Sequence, residues 1–232
     1  GCFEEHWEMK GEVGRGATSR VYVCELKTNN NVRGAVKVVN KNRLGFGRRK
    51  KNVLEHIRNE IDVLKSLDHP CIIRILASYE SDDYIHIVTE LMEGGELFEY
   101  IVDEAAHLTE KEASNIVARV ARALDYMHSK GVLHEDCKAP NVLMTTDGQP
   151  VLSDMGVSAM GDCIEADDGG HKVEAKLRGA TYQFASAKVV KLLTQLHECK
   201  SREEHEQLKN AMPLTHSDDI FAFAATVFEM FA

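Results

Sequence analysis

His134-Glu135-Asp136-Cys137-Lys138-Ala139-Pro140-Asn141, followed at short range by Asp154-Met155-Gly156, is the stretch from which the rest of the chain is read. It offers a carboxylate at Asp136, a cation two residues on at Lys138, an amide at Asn141 and a second carboxylate at Asp154. Phosphoryl transfer asks for that set: an oriented proton acceptor, a countercharge for the γ-phosphate, and oxygen ligands for Mg²⁺. A single Asp or Asn in a loop is most often a turn residue. Four polar groups at these spacings, with partners upstream, are not explained by turns.

Those partners come first in the chain. Gly14-Arg15-Gly16-Ala17-Thr18-Ser19-Arg20-Val21 lies among alternating apolar residues and reads as a hairpin; alone, such a glycine pair marks only a turn. In Gly34-Ala35-Val36-Lys37-Val38-Val39 a lysine sits among small and β-branched residues, and by itself it reads as a strand lysine snorkelling to solvent. Residues 53 to 67 carry Val53, Ile57, Ile61, Leu64 and Leu67 at helical spacing, with Glu60 beside that face. A carboxylate there is costly unless paired, and Lys37 is its natural partner.

Ile72 to Ala77 and Tyr84 to Thr89 read as strands around Ser81-Asp82-Asp83. A short helix follows from Glu96 to about Val102. Thr109-Glu110-Lys111-Glu112 is a capping box opening a helix whose apolar face is Ile116, Val117, Val120, Ala121 and Leu124, with Gly131 after its end. Val142-Leu143-Met144 and Val151-Leu152 form a short hairpin that carries Asp154 forward. Ile220 to Phe228 is apolar nearly all round and must be covered, either by the helix-prone, charged residues 188 to 212 or by a partner chain.

The totals bound the alternatives. The 232 residues suffice for one large domain or two small lobes. A net charge of −9 argues against nucleic acid as a partner; the one dense basic run, Arg48 to Lys51, reads as a solvated helix end. Six scattered cysteines without CxxC or zinc spacing fit free thiols in a reducing compartment. No apolar run approaches membrane-spanning length, and no stretch of these residues reads as a signal peptide. Gly1-Cys2 resembles a dual-acylation start, but the Ser or Thr expected a few residues on is missing. The expectation is a cytoplasmic protein without membrane contact.

Taken together, the motifs resemble the eukaryotic protein kinases: the glycine-rich loop, the strand lysine with its helix glutamate, H-R-D-x-K-x-x-N at His134 to Asn141, and D-F-G at Asp154 to Gly156. Gly94-Gly95-Glu96-Leu97-Phe98 and Leu108-Thr109-Glu110-Lys111-Glu112-Ala113 resemble the calmodulin-regulated and calcium-dependent Ser/Thr branch. The resemblance covers residues 9 to 232. It implies an α+β, bilobal fold: a lead-in at 1–8, a smaller lobe at 9–89 with an antiparallel sheet and one key helix, a hinge at 90–95, and a mainly helical larger lobe at 96–232. The activation segment would span about 154–187 and an insert 188–212.

It also implies ATP and Mg²⁺ as cofactors and a protein substrate accepting phosphate on Ser or Thr. Gly14 and Gly16 would let backbone N–H groups approach the phosphates. Val21, Ala35 and Leu143 would sandwich adenine, the backbone near Glu90 and Met92 would bind it, Thr89 would be a small gatekeeper, and Glu96 would reach the ribose. Lys37 would hold the α- and β-phosphates and Glu60 would hold Lys37. Asp136 would orient the substrate hydroxyl and accept its proton, Lys138 would neutralise the γ-phosphate, and Asn141 and Asp154 would ligand Mg²⁺. Asp219, in Ser217 to Ala224, would anchor the catalytic loop, and Leu64, Ile75, Met155 and His134 would stack with it as a column.

The chain departs from the family in places. Glu135 replaces the arginine that pairs with an activation-loop phosphate, so phosphorylation switching of the usual type is not expected. Ala185-Ser186-Ala187 stands where the family has A-P-E, and Pro140 changes the usual Pro-Glu order before Asn141. The family would continue past Ala232 through three further helices. Two readings follow: a Ser/Thr protein kinase with atypical regulation, or a pseudokinase that binds nucleotide or partners without transferring phosphate.

Overall fold

Alternation of apolar and polar residues from Trp7 onward produces an antiparallel sheet in a computed structural model of the chain. The structure describes residues 1–16, 19–99, 109–155, 159–160, 162–165, 171–175, 207 and 214–231. It separates into two compact units, one of residues 1–68 and 73–93 and the other of residues 69–72 and 94–232. The far end of the expected helix at Glu96, Gly156, most of the activation segment, the 185–187 motif and nearly all of the 188–212 insert lie outside the described residues.

In the first unit the strands β1 (Trp7–Arg15), β2 (Ser19–Leu26), β3 (Asn29–Asn40), β4 (Ile75–Glu80) and β5 (Tyr84–Glu90) take the order β1-β2-β3-β5-β4. The register fixes two faces. Val21 lies opposite Lys37 and Val23 opposite Ala35, while Tyr22 lies opposite Val36 and Arg20 opposite Val38. Side chains alternate along a strand, so Lys37 and Val38 point to opposite sides. On the Val36 side, Phe3, Trp7, Cys24, Val36 and Val88 form a buried cluster.

Phe3 and Trp7 belong to the segment expected as a lead-in. A short helix α1 (Phe3–His6) instead stacks Phe3 on His86 at 4.6 Å, and Trp7 Nε1 donates to Tyr79 Oη at 3.1 Å. These residues close the outer face of the sheet. Burial pushes the Cys24 thiol up to about 11, so it behaves as an inert apolar side chain. Cys2, Cys24, Cys71 and Cys137 are free thiols.

The helix α2 (Gly47–Ser66) begins six residues before the expected start at 53. The apolar period appears only from Val53, because the opening turns carry the charged run Arg48 to Lys51, of which Arg48 and Lys51 are exposed. Ile57, Ile61 and Leu64 are buried farther along. The helix continues to Ser66 and the backbone is extended at Leu67.

The strand expected at Ile72 to Ala77 is observed at Ile75–Glu80. The shift has a cause in the second unit: Leu152 N donates to Cys71 O at 2.8 Å and Ile72 bridges Leu152 in parallel. The 71–72 backbone is thus taken up by the hairpin rather than by the sheet.

Glu80, at the end of β4, accepts from Arg58 Nη2 at 2.7 Å and Lys41 Nζ at 2.6 Å. Arg58 first, then Lys41, hold its carboxyl down at about 2. The folded value lies below the unfolded one, so this stabilisation is complete above the ordinary glutamate range and is lost as pH falls toward the depressed value. Because the pair is partly exposed, Glu80→Gln is expected to cost under about 1 kcal/mol at neutral pH. In urea titrations run against pH, that difference closes on acidification; a difference independent of pH would contradict the assignment.

The second unit is built on α3 (Glu110–Ser129) and α4 (His216–Phe231). Thr109 Oγ1 accepts from Glu112 N at 3.3 Å and the Glu112 carboxylate accepts from Thr109 N at 2.9 Å, which is the expected capping box. Ala113, Ile116, Val120, Ala123, Leu124 and Met127 are buried along α3. Short strands follow: β6 (Val132–Leu133), the hairpin β7 (Val142–Met144) with β8 (Pro150–Leu152), β9 (Ala159–Met160) paired with β6, and the ladder β10 (Asp162–Glu165), β11 (His171–Ala175) and β12 (Leu214–Thr215). The fold is α+β.

On α4, Ala222, Phe223 and Thr226 are buried, but Ile220 and Phe221 are 49% and 47% exposed. Nearly all of residues 188 to 212, expected to cover this helix unless a partner chain does, lie outside the described residues. Its buried face is the one that turns toward α3 and the loop after β6. No described helix is long and apolar enough to cross a membrane.

Gly94 shows how closely the second unit packs. Its N–H donates to Met144 O at 2.9 Å, and a Cβ there would fall 2.5 Å from Met144 O and 2.6 Å from Thr145 O. Both obstacles are backbone. Gly94→Ala is expected to destabilise by about 1–3 kcal/mol, read as a lower urea midpoint. An unchanged midpoint would contradict this packing.

Candidate active site

Gly131, at φ 74, ends α3 and turns the chain into β6, whose two residues are fully buried. This rigid entry delivers His134, Glu135 and Asp136 to a fixed place. His134 is 0% exposed; its Nδ1 accepts from Asp136 N at 3.3 Å and its Nε2 contacts Ser153 O at 3.0 Å. A ring nitrogen facing an N–H must accept, so the proton lies on Nε2 and is donated to the Ser153 carbonyl. The imidazole thus ties the loop to the strand end that carries Asp154.

Asp219, on the first turn of α4, holds the same loop from the other side. Its Oδ2 accepts from His134 N at 2.8 Å and contacts His128 Nε2 at 2.8 Å, and its Oδ1 accepts from Glu135 N at 2.8 Å. Burial alone would push this carboxyl up. The His128 hydrogen bond, the electrostatic influence of His134 and His128 and the backbone donor at His134 outweigh burial and hold it below the ordinary range. Glu135 sits at φ 68, a left-handed conformation that a non-glycine residue keeps only when its surroundings enforce it. The bond from its N–H to Asp219 is that enforcement.

Lys138 is extended at φ −149, and Pro140 sits in the first turn of a short 3-10 helix (Ala139–Asn141), where its fixed φ is an advantage. The polar residues of the loop converge. Lys138 Nζ lies 2.8 Å from Asp136 Oδ2. Asn141 Nδ2 donates to Asp136 O at 2.8 Å and to Asp136 Oδ2 at 3.0 Å. Ser153 donates twice to Asn141 O, from N at 2.8 Å and from Oγ at 2.9 Å. Asp154 follows at φ 58 with an exposed side chain, and Met155 beyond it is fully buried. The two non-glycine residues at positive φ, among those described, are Glu135 and Asp154.

Asn141 uses both amide protons on Asp136, which leaves Oδ1 as its acceptor. With the Asp154 carboxylate this gives two hard oxygen donors of the kind Mg²⁺ prefers. The donor chemistry fits the ion. Among the described residues no group of three or more His, Cys, Asp or Glu side chains forms a metal cluster on its own. Glu96 and Leu143 also belong to this unit and bridge one another antiparallel. Burial, then the Glu99 charge, raises the Glu96 carboxyl.

In the first unit Lys37 Nζ donates to Glu60 Oε1 at 2.7 Å, with Glu60 nearly buried. Val21 shares the Lys37 face, and Ala35 lies opposite Thr89, whose Oγ1 is 3.5 Å from Ala35 O. Gly16 N donates to Ser19 O at 2.9 Å, closing the hairpin turn that begins near Gly14; residues 17 and 18 lie outside the described residues. Glu90 N donates to Arg74 O and its carboxylate accepts from Arg74 N, both at 3.0 Å. Met92 is half-buried.

Three positioning residues were not singled out in the sequence. His128 bonds Asp219 and stacks on His216 at 4.2 Å. Ser153 clasps Asn141. Thr226 Oγ1 donates to Cys137 O at 3.3 Å, tying α4 to the loop. Each partner is at least twelve residues away, and a lone Ser, Thr or His carries no local signal of such a contact.

Comparison with known proteins agrees with this geometry. A family model described as "Protein kinase domain" matches residues 7–232. A calcium/calmodulin-dependent protein kinase type 1 from Macrobrachium nipponense is 38% identical over 162 residues, 68% of this chain and 45% of that protein. Myosin light chain kinase A from Dictyostelium discoideum is 35% identical over 158 residues, 67% of this chain and 51% of its own length. CBL-interacting protein kinase 31 from Oryza sativa subsp. japonica is 34% identical over 161 residues, 69% of this chain and 34% of that one. The chain thus spans about half or less of the curated relatives it matches. The family match across nearly the whole chain, with these relatives, makes it a member of the eukaryotic protein kinase family, on the branch of the calcium/calmodulin-dependent kinases.

Proposed function

We propose that this chain transfers the γ-phosphate of ATP to serine or threonine hydroxyls of protein substrates in a Mg²⁺-dependent reaction. The observation that carries the reading is the convergence of Lys138 and Asn141 on one carboxylate oxygen of Asp136. A carboxylate fixed by two side chains and a buried loop orients the acceptor hydroxyl through hydrogen bonding and takes its proton. Lys138, beside it, neutralises charge on the transferring phosphoryl group. Lys37, held by Glu60, takes the α- and β-phosphates, and the backbone around Gly14 and Gly16 receives the remaining phosphate oxygens.

Val21, Ala35 and Leu143 supply apolar contact for adenine, with Thr89 beside it, the backbone at Glu90 and Met92 as its hydrogen-bonding edge and Glu96 for the ribose. Asn141 Oδ1 and the Asp154 carboxylate would hold Mg²⁺, which when bound neutralises phosphate charge. In this reading the smaller lobe is 9–89, the hinge 90–95 and the larger lobe 96–232. The protein acts in the cytoplasm, with a protein substrate as its partner. Ile220 and Phe221 on α4 offer apolar surface to a second chain.

A second reading is a pseudokinase that binds nucleotide and partners without transfer. Glu135, buried at the position of the family's arginine, favours it, since a carboxylate there repels an activating phosphate.

Nucleotide binding tests the shared part of both readings. Mg-ATP is expected to raise the melting temperature of the parent chain, with ATP in EDTA raising it less. Lys37→Met should lose most of the shift, and Asp154→Asn should lose the Mg²⁺-dependent part. Absence of any shift in the parent would overturn the phosphate and metal assignments together.

A further inference from the structure

The side of the first unit's sheet that faces away from Lys37 carries a feature the kinase reading does not use. Arg15 lies opposite Arg20 between β1 and β2, Arg20 opposite Val38 between β2 and β3, and Asn40 opposite Tyr84 between β3 and β5. That register puts Arg15, Arg20, Tyr22, Asn40 and Tyr84 on one face. They line a cavity of about 400 Å³ together with Arg43 from the short 3-10 turn after β3. Three guanidinium groups from three different segments border this space, and no carboxylate does. In a chain of net charge −9 this is a local inversion of sign.

The arginines are arranged rather than scattered. Glu12 accepts from Arg15 Nε at 2.9 Å and from Arg20 Nη1 at 3.4 Å. One carboxylate on the same face, not itself lining the cavity, therefore aligns two guanidinium groups and leaves most of their N–H donors available. Arg43 makes no ion pair with another described residue. Three positive charges against one negative leave the cavity net positive. Tyr22 (which also bonds Glu12), Tyr84 and Asn40 complete the polar lining.

We propose that this cavity is a binding site for a phosphomonoester dianion carried on a protein side chain, a phosphoserine or phosphothreonine. A phosphomonoester brings close to two negative charges and three acceptor oxygens, which matches several guanidinium forks better than a single carboxylate does. The volume suits one modified side chain and its immediate neighbours, and is too small for a larger element. Gly16 and Ser19, at the hairpin turn given above to the nucleotide phosphates, also line the cavity, while its arginines lie on the face opposite Lys37.

The test uses the 232-residue chain and ³¹P NMR titration with two probes, N-acetyl-O-phosphoserine amide and inorganic phosphate. The phosphoserine resonance should broaden and shift on titration. The double variant Arg20→Gln with Arg43→Gln should bind it at least about tenfold more weakly, the scale expected for losing charge-assisted hydrogen bonds. Both side chains are solvent-accessible, and circular dichroism melts confirm that the variant is folded. Lys37→Met should bind the probe as the parent does. Equal binding by parent and double variant, loss of binding in Lys37→Met, or binding of inorganic phosphate without phosphoserine would each overturn the proposal.

Discussion

Replacing Asp136 by Asn is expected to lower the rate of phosphate transfer by about 10²–10⁴-fold, the range for losing a positioned general base. The side chain has the same shape, so the effect isolates chemistry. In the parent, Asp136 Oδ2 accepts from Lys138 Nζ at 2.8 Å and from Asn141 Nδ2 at 3.0 Å. A neutral amide at 136 cannot take the proton of an attacking hydroxyl. It also leaves Lys138 without its countercharge and presents an NH₂ or carbonyl to Asn141 in place of a charged acceptor. The bond from Asn141 Nδ2 to the backbone carbonyl of residue 136 does not depend on that side chain, so Asn141 keeps one anchor. The loss should therefore appear in kcat at saturating peptide, with an unchanged melting curve. A variant that unfolds would point to a structural role for Asp136 instead.

Asp219→Ala should act on stability rather than on a chemical step. Three donors lose their acceptor at once: the N–H groups of His134 and Glu135, and His128 Nε2. All lie in the interior, where water does not replace the lost oxygen atoms. Each buried donor left unpaired costs about 1–3 kcal/mol, so the three together cost at least about 3 kcal/mol. For a chain of this size that corresponds to a melting temperature lower by about 6 °C or more. Glu135 loses the bond that holds its left-handed backbone, so the loop after β6 should relax even where the unit stays folded.

The pH dependence has a definite sign. The folded carboxyl titrates below the ordinary value, so its contribution is present above that value and lost as pH falls through the depressed one. The gap between parent and Asp219→Ala in urea midpoints should therefore narrow in acid. A gap that widens on acidification would contradict the account of Asp219 as a charged hub.

How much of this was legible depends on how far apart the partners are. Lys37 and Glu60 could be paired from sequence because a carboxylate beside an apolar helical face needs a cation, and one strand offered it. The Thr109–Glu112 box was legible because its bonds are local. The loop from His134 to Asn141 carried its chemistry in its own spacing.

Phe3 and Trp7 were not legible. They follow no period of their own and find partners, His86 and Tyr79, more than seventy residues away. The start of α2 was missed because its first turns are charged, leaving hydrophobic periodicity silent until Val53. The strand at Ile75–Glu80 was placed early because Cys71 and Ile72 look like strand residues and are, but of the hairpin's neighbourhood.

The most direct measurement of the central claim is γ-phosphate transfer from Mg-ATP to a basic Ser/Thr peptide by the parent chain, with Asp136→Asn run alongside. The account predicts transfer by the parent, on serine or threonine, and its near-complete loss in the variant. Mg-ATP binding with no transfer by the parent, or equal transfer by both proteins, would contradict it.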